Sequence, residues 1–305
     1  MTVHDEARAS FEQQLRDLRP KLHRYCARMA GSVVDGEDIV QEALIKAIKA
    51  FGGEAIDNVQ SWLFRIAHNA ALDFLRARRR QEAGRSEEDA DMIVDETASA
   101  AERYAASASL RTFMRLPTAQ RGTVILMDVL GYSLREVSDI TGMTIAAIKA
   151  ALHRGRGRLR ELADSPEDAI VPSLSGTELA RLANYAERFN AHDFDAVRNM
   201  LADDVKLELV SRARMEGRKR VSHYFGNYAS VHDWTLTPGL VDGRPALLVS
   251  NPATPDAPPT YFVIVEWDGD KVAQIRDFRH VPYVAECAQM IAATPQLQEP
   301  HHESS

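Results

Sequence analysis

The sequence has little of what marks membrane, secreted or cysteine-stabilised proteins. None of its 305 residues belongs to an apolar run near the roughly 20 residues that a membrane span needs, and the first residues lack the basic patch and apolar core of a signal peptide. Its two cysteines, Cys26 and Cys287, lie far apart and form no CxxC pair, so neither a disulfide framework nor a cysteine zinc site is predicted. His23 and Cys26 supply two ligands where structural zinc uses four. We therefore expect a cytoplasmic protein with no membrane partner, no metal and no cofactor.

What is present is an ordinary globular composition with an uneven distribution of charge. Hydrophobic residues make up 45% and charged residues 27% of the chain, close to the averages for globular proteins, and the length suggests about two domains. The formal net charge of −7 divides into +2 for residues 1–80, −6 for 81–104, +5 for 105–163 and −8 for 164–305. Two basic blocks separated by an acidic segment suggest nucleic-acid binding.

Helical periodicity runs through the first 163 residues in two blocks. The first block is predicted to be helical over 6–30, where Pro20 starts a second helix within that range. Another helix is predicted over 36–51, preceded by Asp35, and a third over 62–80, capped by Ser61. Residues 81–103 are acidic and poor in large apolar side chains, which predicts a flexible linker. Helical patterning resumes near 104 and continues through 120–130. Ser133 then caps a helix over 134–141, Gly142 makes a tight turn, and Thr144 caps a last helix over 145–163, which is a helix-turn-helix pattern.

The second half has a mixed texture after a linker over 164–175. Helices are predicted over 179–190 and 194–201. Strands rich in β-branched and aromatic residues are predicted over 205–210, 234–240, 246–250, 261–267 and 272–278. The run WDGDK at 267–271 places Asp-Gly between two apolar runs, which indicates a hairpin. Residues 293–305 are expected to form a disordered tail.

Two helices carry basic faces that suit DNA. In the third helix, polar residues recur at helical spacing on one face: Arg65, Asn69, Asp73, Arg76 and Arg80. Guanidinium groups contact phosphates and an amide can read a base edge, although a solvated helix face would look the same. In the last helix, Ile145, Ile148, Leu152 and Leu159 are predicted to pack inward. That leaves Thr144, Lys149, His153, Arg154 and Arg156 as candidates for contacts in the major groove.

The two blocks resemble the extracytoplasmic-function, or group IV, sigma factors of bacterial RNA polymerase. The run DGEDIVQE at 35–42 resembles the core-binding motif of sigma region 2, and SWLFRIAHN at 61–69 with the arginines behind it resembles the promoter-melting segment. The runs LPTAQR at 116–121 and GYSLREV at 131–137, followed by the basic helix, resemble region 4. The resemblance covers residues 10–162 and implies two all-α sigma domains, a region 2 bundle over 8–80 and a region 4 helix-turn-helix over 104–163.

The resemblance also implies partners and site residues. Asp38, Gln41, Glu42 and Ile48 would meet the β′ clamp helices of core RNA polymerase. The loop 52–60 would hold an unstacked base of the non-template single strand of the minus-ten element, beside Trp62, Arg65 and Asn69, with the remaining polar face of that helix along the DNA. Region 4 would read double-stranded promoter DNA at the minus-thirty-five element through Thr144, Lys149, His153, Arg154 and Arg156, and would dock on the β-flap.

Residues 176–292 resemble a SnoaL-like domain of the NTF2-like superfamily, an α+β cone in which helices precede a curved antiparallel sheet. The runs that carry this resemblance are AERFNAHDFDAV at 186–197, LADDV at 201–205 and QIRDFRH at 274–280. The WLPEP-like and DGGGK-like motifs of one sigma-factor subgroup with this extension are absent, and WDGDK is a partial match. Fold relatives include enzymes that use a carboxylate as a base in an apolar cone. Tyr261, Asp277 and His280 are the corresponding candidates for a cone pocket, and an Asp277 paired with Arg276 or Arg279 is the structural alternative.

The sequence therefore predicts a sigma factor, not an enzyme, tuned by a fused regulatory domain that either masks the DNA-reading faces or orders them for polymerase. An anti-sigma protein or a small ligand of the cone is a further candidate partner. Two alternatives stay open: a helix-turn-helix regulator that acts without core polymerase, and a SnoaL-like enzyme with a DNA-binding appendage.

Overall fold

The structure is a computed structural model that describes residues 3–52, 56–82, 109–164, 173–226, 228 and 233–293. It divides into two compact units, Met1–Ala169 and Ile170–Ser305. The predicted linker 81–103 lies outside the described residues except at 81–82. The same holds for the linker 164–175 except at 164 and 173–175, and for the predicted tail except at 293.

The first unit is all-helical. Its helices are α1 (Val3–Ala30), α2 (Val33–Ala50), α3 (Val59–Glu82), α4 (Leu110–Met114), α5 (Thr118–Val124), α6 (Leu134–Thr141) and α7 (Ile145–Asp164). A π-helical turn, Ile125–Val129, continues α5. This architecture confirms the all-α class expected for the first half.

Three predicted helix starts are corrected by local geometry. Pro20 does not begin a new helix, because it lies exposed inside an uninterrupted α1. α2 begins before Asp35, since the Ser32 side chain accepts a hydrogen bond from the Asp35 backbone and caps the helix. α3 begins before Ser61, whose backbone N–H donates to the Asn58 side chain at 2.9 Å.

The helix-turn-helix is confirmed almost to the residue. Ser133 and Glu136 form a reciprocal capping box at the start of α6, and Gly142 ends that helix with a φ of +73°. The Thr144 hydroxyl then accepts from the Ala147 backbone at 3.2 Å and caps α7. These local signals fix where α6 ends and where α7 begins.

The two helical blocks share one hydrophobic core. It includes Phe64 of α3 and Tyr132 before α6, whose rings lie 5.1 Å apart. Within the first block, α1 and α2 approach so closely at Gly36 that an added Cβ would lie 2.6 Å from the Ala27 backbone. Burial of this shared core is the main force that holds α4–α7 against α1–α3.

The second unit is α+β, as predicted. Its elements are α8 (Gly176–Asn190), α9 (Phe194–Met200), β1 (Leu201–Leu209), β2 (Ala213–Glu216), α10 (Arg218–Gly226), β3 (Thr235–Val241), β4 (Arg244–Ser250), β5 (Tyr261–Asp268), β6 (Lys271–Asp277), α11 (Pro282–Ala285) and β7 (Met290–Ala292). The predicted hairpin joins β5 and β6.

The sheet of the second unit is mixed, which corrects the expected antiparallel sheet. Its strand order is β2-β1-β6-β5-β4-β3-β7, and β1 pairs with β6 in parallel. The other neighbouring strands are antiparallel. Helices α8 to α10 contribute large side chains to one core with the sheet, among them Phe189, Val197 and Phe225.

Candidate nucleic-acid interface

The solvent-facing side of α2 carries a stripe of acidic, amide and apolar side chains. Asp38, Glu42, Ile45 and Ile48 are exposed and Gln41 is half-buried. Ile45 and Ile48 are 50% and 47% exposed, although sequence periodicity treated Ile45 as buried surface. Their exposure leaves an apolar strip beside carboxylates, which is a surface that a protein partner can cover.

The opposite side of α2 is fixed by buried polar groups. Glu37 is fully buried and forms an ion pair with Arg19 of α1. Asp35, in the first turn, is also buried. The carboxylates of the motif at 35–42 therefore have different roles. Glu37 joins α1 to α2, whereas Asp38 and Glu42 face solvent.

A small cavity of about 70 Å³ lies at the end of the α2 stripe. Arg8, Phe11, Glu12, Ile48 and Phe51 line it. The Phe11 and Phe51 rings stack with centroids 4.1 Å apart. The cavity extends the exposed apolar strip and is large enough for a small apolar group.

The predicted polar face of α3 is present and exposed. Its members are Arg65, Asn69, Asp73, Arg76 and Arg80. Arg76 pairs with Asp73 at 2.9 Å on the surface, and Arg65 donates to the Asp139 carbonyl oxygen of α6 at 2.7 Å. Trp62 is half-buried, with its ring centroid 6.1 Å from that of Phe11. Residues 53–55 of the predicted base-holding loop lie outside the described residues.

The other faces of α3 hold a polar network that sequence reasoning missed. The Tyr25 hydroxyl and His68 Nδ1 lie 2.6 Å apart, and burial lowers the pKa of His68 to about 4. Gln60 at the start of α3 donates to the Tyr132 hydroxyl at 2.8 Å. The Lys21 ammonium lies 4.2 Å from the Tyr132 ring centroid. α3 is thus tied to both helical blocks.

Arg121 of α5 makes a second polar connection between the blocks. Its guanidinium is buried and donates to the carbonyl oxygens of Met29 at 2.6 Å and Leu116 at 2.9 Å. Burial, with a smaller contribution from the nearby Arg79, lowers the pKa of Arg121 to about 10. Nothing in the run LPTAQR predicts that Arg121 is buried.

On α7, the structure separates the predicted DNA-contacting residues into two groups. Thr144, Lys149 and Arg154 are exposed and His153 is half-buried. Arg156 instead pairs with Asp128 of the π-helical turn at 2.6 Å, with the two side chains 16% and 1% exposed. The guanidinium of Arg156 therefore holds α7 against the preceding turn and does not lie on the open face.

Asp277 of the second unit is buried in a hydrogen-bond network. Its carboxylate accepts from the hydroxyls of Tyr224 at 2.6 Å and Tyr228 at 3.0 Å, and from the Arg279 backbone at 2.8 Å. Burial and the Asp277 charge raise the pKa values of both tyrosines. Burial, with a smaller contribution from the nearby Tyr228, also raises the pKa of the predicted neighbour Tyr261.

Two other residues that were predicted to lie beside Asp277, His280 and Arg276, are placed differently from that prediction. His280 is exposed and makes no hydrogen bond with Asp277 among the described residues. The predicted alternative partner Arg276 pairs with Glu208 at 3.0 Å. Tyr224 and Tyr228 lie in a segment that sequence reasoning assigned to no element.

Two further features are lacking among the described residues. No helix among them has the length and apolar character to cross a membrane. Within the same ranges, no group of histidine, cysteine, aspartate and glutamate side chains is arranged to hold a metal ion.

Comparison with known proteins matches the two helical blocks to two families. Residues 15–81 match Sigma-70 region 2, and residues 110–159 match Sigma-70, region 4. The ECF RNA polymerase sigma factor SigM of Mycobacterium tuberculosis is 34% identical over 156 residues, which cover 51% of this chain and 78% of SigM. SigG of the same organism is 31% identical over 217 residues, which cover 63% of this chain but only 59% of SigG.

One solved structure aligns with much of the chain at a low score. The crystal structure of the Mycobacterium tuberculosis extracytoplasmic function sigma factor SigJ aligns at 20% identity with a TM-score of 0.35, covering 87% of this chain and 95% of that chain. The chain belongs to the extracytoplasmic-function sigma factors of RNA polymerase, because it is 34% identical to SigM and covers 78% of it.

Proposed function

We propose that this chain binds core RNA polymerase and directs it to a two-part promoter, where it opens the DNA. One observation carries this proposal: a single packed helical unit presents an acidic and apolar stripe on α2 and two polar, mainly basic faces on α3 and α7. The polymerase supplies the catalysis, and this chain supplies recognition.

The α2 stripe is the surface that we assign to the β′ clamp helices. Asp38 and Glu42 provide exposed charge, Gln41 provides an amide, and Ile45 and Ile48 provide apolar area. Interfaces of this kind combine an apolar centre with a polar rim. A helix-turn-helix regulator that acts alone would have no use for such a stripe.

The α3 face suits the non-template single strand of the minus-ten element. Arg65, Arg76 and Arg80 can contact phosphates, Asn69 can read a base edge, and Trp62 can stack on an unpaired base. Extruding a base costs a few kcal/mol, which stacking and backbone contacts must offset. Regions 2 and 4, over 8–80 and 104–163, are then the two DNA-contacting parts of the helical unit.

The α7 face suits the major groove of the minus-thirty-five element. Thr144 and Lys149 lie at the helix start, where a recognition helix contacts base edges. Arg154 lies further along, and His153 lies between the two basic residues. Arg156 has a positioning role in this proposal, because its guanidinium is paired with Asp128.

Transcription by purified components tests the proposal. The full chain is mixed with bacterial core RNA polymerase and a randomised promoter library, and the transcripts are sequenced. We expect enrichment of one two-part element. Gln41→Ala with Glu42→Ala should weaken core binding, whereas the matched pair Gln14→Ala with Asp17→Ala, on the exposed face of α1, should not. Failure of the full chain both to bind core polymerase and to initiate would refute the sigma-factor proposal.

We assign the second unit a regulatory role, with residues 176–292 as its SnoaL-like domain. The buried Asp277 carboxylate already accepts three hydrogen bonds, which favours a structural role over that of a catalytic base. A chain ending at Ala169 retains the whole helical core. The ratio of its transcription to that of the full chain measures the sign of the regulatory effect, and a ratio of one would exclude regulation under those conditions. An anti-sigma protein or a small ligand would act by changing that ratio.

A further inference from the structure

Ile145 is exposed where the sequence predicted it to be packed. Its side chain is 47% exposed, whereas Ile148, Leu152 and Leu159 on the same helix are buried. The correction has a geometric reason. α7 packs tightly on α5 at Gly155, where an added Cβ would lie 2.7 Å from the Val124 side chain. The apolar side of α7 is covered from Ile148 onward, and Ile145, about 15 Å along the helix axis from Gly155, lies beyond that cover.

The surroundings of Ile145 are basic and small. Thr144, Ala146, Lys149 and Ala150 are exposed around it. The first ten residues of α7, IAAIKAALHR, contain no acidic residue. An apolar side chain flanked by small residues and a lysine, at the N-terminus of a helix-turn-helix recognition helix, lies where such helices meet base edges.

The other exposed isoleucines provide a contrast within the same chain. Among the described residues, the exposed large hydrophobic side chains are Ile45, Ile48 and Ile145. Ile45 and Ile48 lie among exposed charges of both signs, because Asp38 and Glu42 share their helix with Lys46 and Lys49, and Lys46 pairs with Glu42 at 2.7 Å. Ile145 has a lysine one turn away and no acidic side chain on the first ten residues of its helix. The charge around Ile145 therefore favours DNA over a protein partner.

We infer that Ile145 is a specificity-determining residue that contacts the C5-methyl group of a thymine in the major groove of the minus-thirty-five element. Thymine is the one base that presents a methyl group there, and apolar side chains recognise it by contact. This inference rests on the proposed function, and it adds an apolar base reader to polar candidates found from sequence alone.

The test removes the methyl group without changing base pairing. Holoenzyme made from the full chain is bound to the selected promoter. Each thymine of the minus-thirty-five element is then replaced in turn by deoxyuridine, which lacks only the methyl group. For the unchanged chain, we expect one replacement to reduce affinity about fourfold, the effect of burying roughly one methyl group. Replacement at the other thymines serves as the internal control.

The variant Ile145→Ala should bind the thymine and deoxyuridine promoters equally, while Ile145→Val should restore part of the difference. The inference is overturned if the selected element contains no thymine, if no replacement distinguishes the unchanged chain from Ile145→Ala, or if Ile145→Ala acts only by weakening core binding. These results would leave the proposed function intact, because promoter-directed transcription is measured separately. Absence of any selected promoter would defeat both.

Discussion

α3 and α7 carry the two candidate DNA faces, but the helical unit holds them differently. α3 packs along its length on α1 and α2, and Arg65 of its polar face also donates to Asp139 of α6. α7 is held through Gly155 against Val124 and Arg156 against Asp128, and one side of its first turns is also buried at Ile148 while the other side is exposed. Residues that pack and residues that could contact DNA are therefore linked on α3 through Arg65, whereas on α7 they lie on opposite faces of the first turns.

The difference implies that substitutions should have separable effects on α7 and combined effects on α3. A residue in the first turns of α7 can change DNA affinity without changing the free energy of unfolding. A residue on α3 often changes both, because its neighbours in the shared core also hold α6 in place.

Replacing Arg121 should have the largest effect on stability, because it joins the two helical blocks on which α3 and α7 lie. Arg121→Ala leaves the carbonyl oxygens of Met29 and Leu116 buried without their donor. Losing charged hydrogen bonds and leaving buried acceptors unpaired should cost about 3 to 4 kcal/mol. Urea unfolding followed by far-ultraviolet circular dichroism measures this, with exposed Arg111→Ala as the control. Equal stability of the two variants would contradict the assigned role of Arg121.

Breaking the anchor of α7 should cost somewhat less stability. Arg156→Ala leaves the Asp128 carboxylate buried without its partner, and we expect a loss of about 2.5 kcal/mol, below the range for a fully buried pair because Arg156 reaches solvent in part. Exposed Arg154→Ala should change stability by less than about 0.5 kcal/mol. In DNA binding, Arg154→Ala should reduce the slope of log affinity against log salt by about one. An unchanged slope in Arg154→Ala would remove Arg154 from the phosphate contacts.

Acid should destabilise the helical unit because His68, on the buried face of α3, is neutral in the folded chain. The pKa of His68 is lowered to about 4 by burial, whereas an unfolded histidine titrates near 6.5. The unfolded chain therefore binds a proton first, so this stability is complete above pH 6.5 and is lost as the pH falls toward 4. Between pH 7 and pH 5, His68 should account for about 2 kcal/mol. The urea midpoint of His68→Gln should depend less on pH than that of the unchanged chain, and equal dependence would contradict the assignment.

Arg65→Ala should show the smallest stability effect and the mixed behaviour expected of α3. Loss of its hydrogen bond to the Asp139 carbonyl should cost about 1 kcal/mol or less. Binding of holoenzyme to a fork-junction promoter with a single-stranded minus-ten element should also weaken. Arg76→Ala is the comparison, because within the described part of the chain the pair that Arg76 makes is with Asp73, on the same helix face. Arg76→Ala should weaken binding to the fork-junction promoter without lowering the free energy of unfolding. If Arg65→Ala changed stability alone, Arg65 would not contact DNA.

Sequence reasoning succeeded where local signals set the structure. The helix-turn-helix was predicted almost to the residue, because the Ser133 capping box and Gly142 act within a few residues. The strand β2 and helix α10 were missed because their short segments, ARME and RKRVSHYFG, are polar and lack clear periodicity. The parallel pairing of β1 with β6 joins strands more than sixty residues apart, so no local pattern reports it.

The candidate site was predictable in part for the same reason. Helical spacing identified the polar face of α3, since exposure follows the helix period there. The exposure of Ile45 and Ile145 was missed because periodicity identifies an apolar stripe but not how much of that stripe a neighbouring helix covers. The burial of Arg121 and Arg156 depends on acceptors elsewhere in the chain, namely Met29, Leu116 and Asp128.

Site-specific photocross-linking tests the central claim, that α3 and α7 contact different parts of one promoter. A photoreactive amino acid is placed at Asp73 on α3 or at Ala150 on α7, both of which are exposed, and each holoenzyme is bound to the selected promoter. The account predicts that position 73 cross-links to the non-template strand of the minus-ten element and position 150 to the minus-thirty-five duplex. Cross-linking of both positions to the same element, or of neither to DNA, would contradict it.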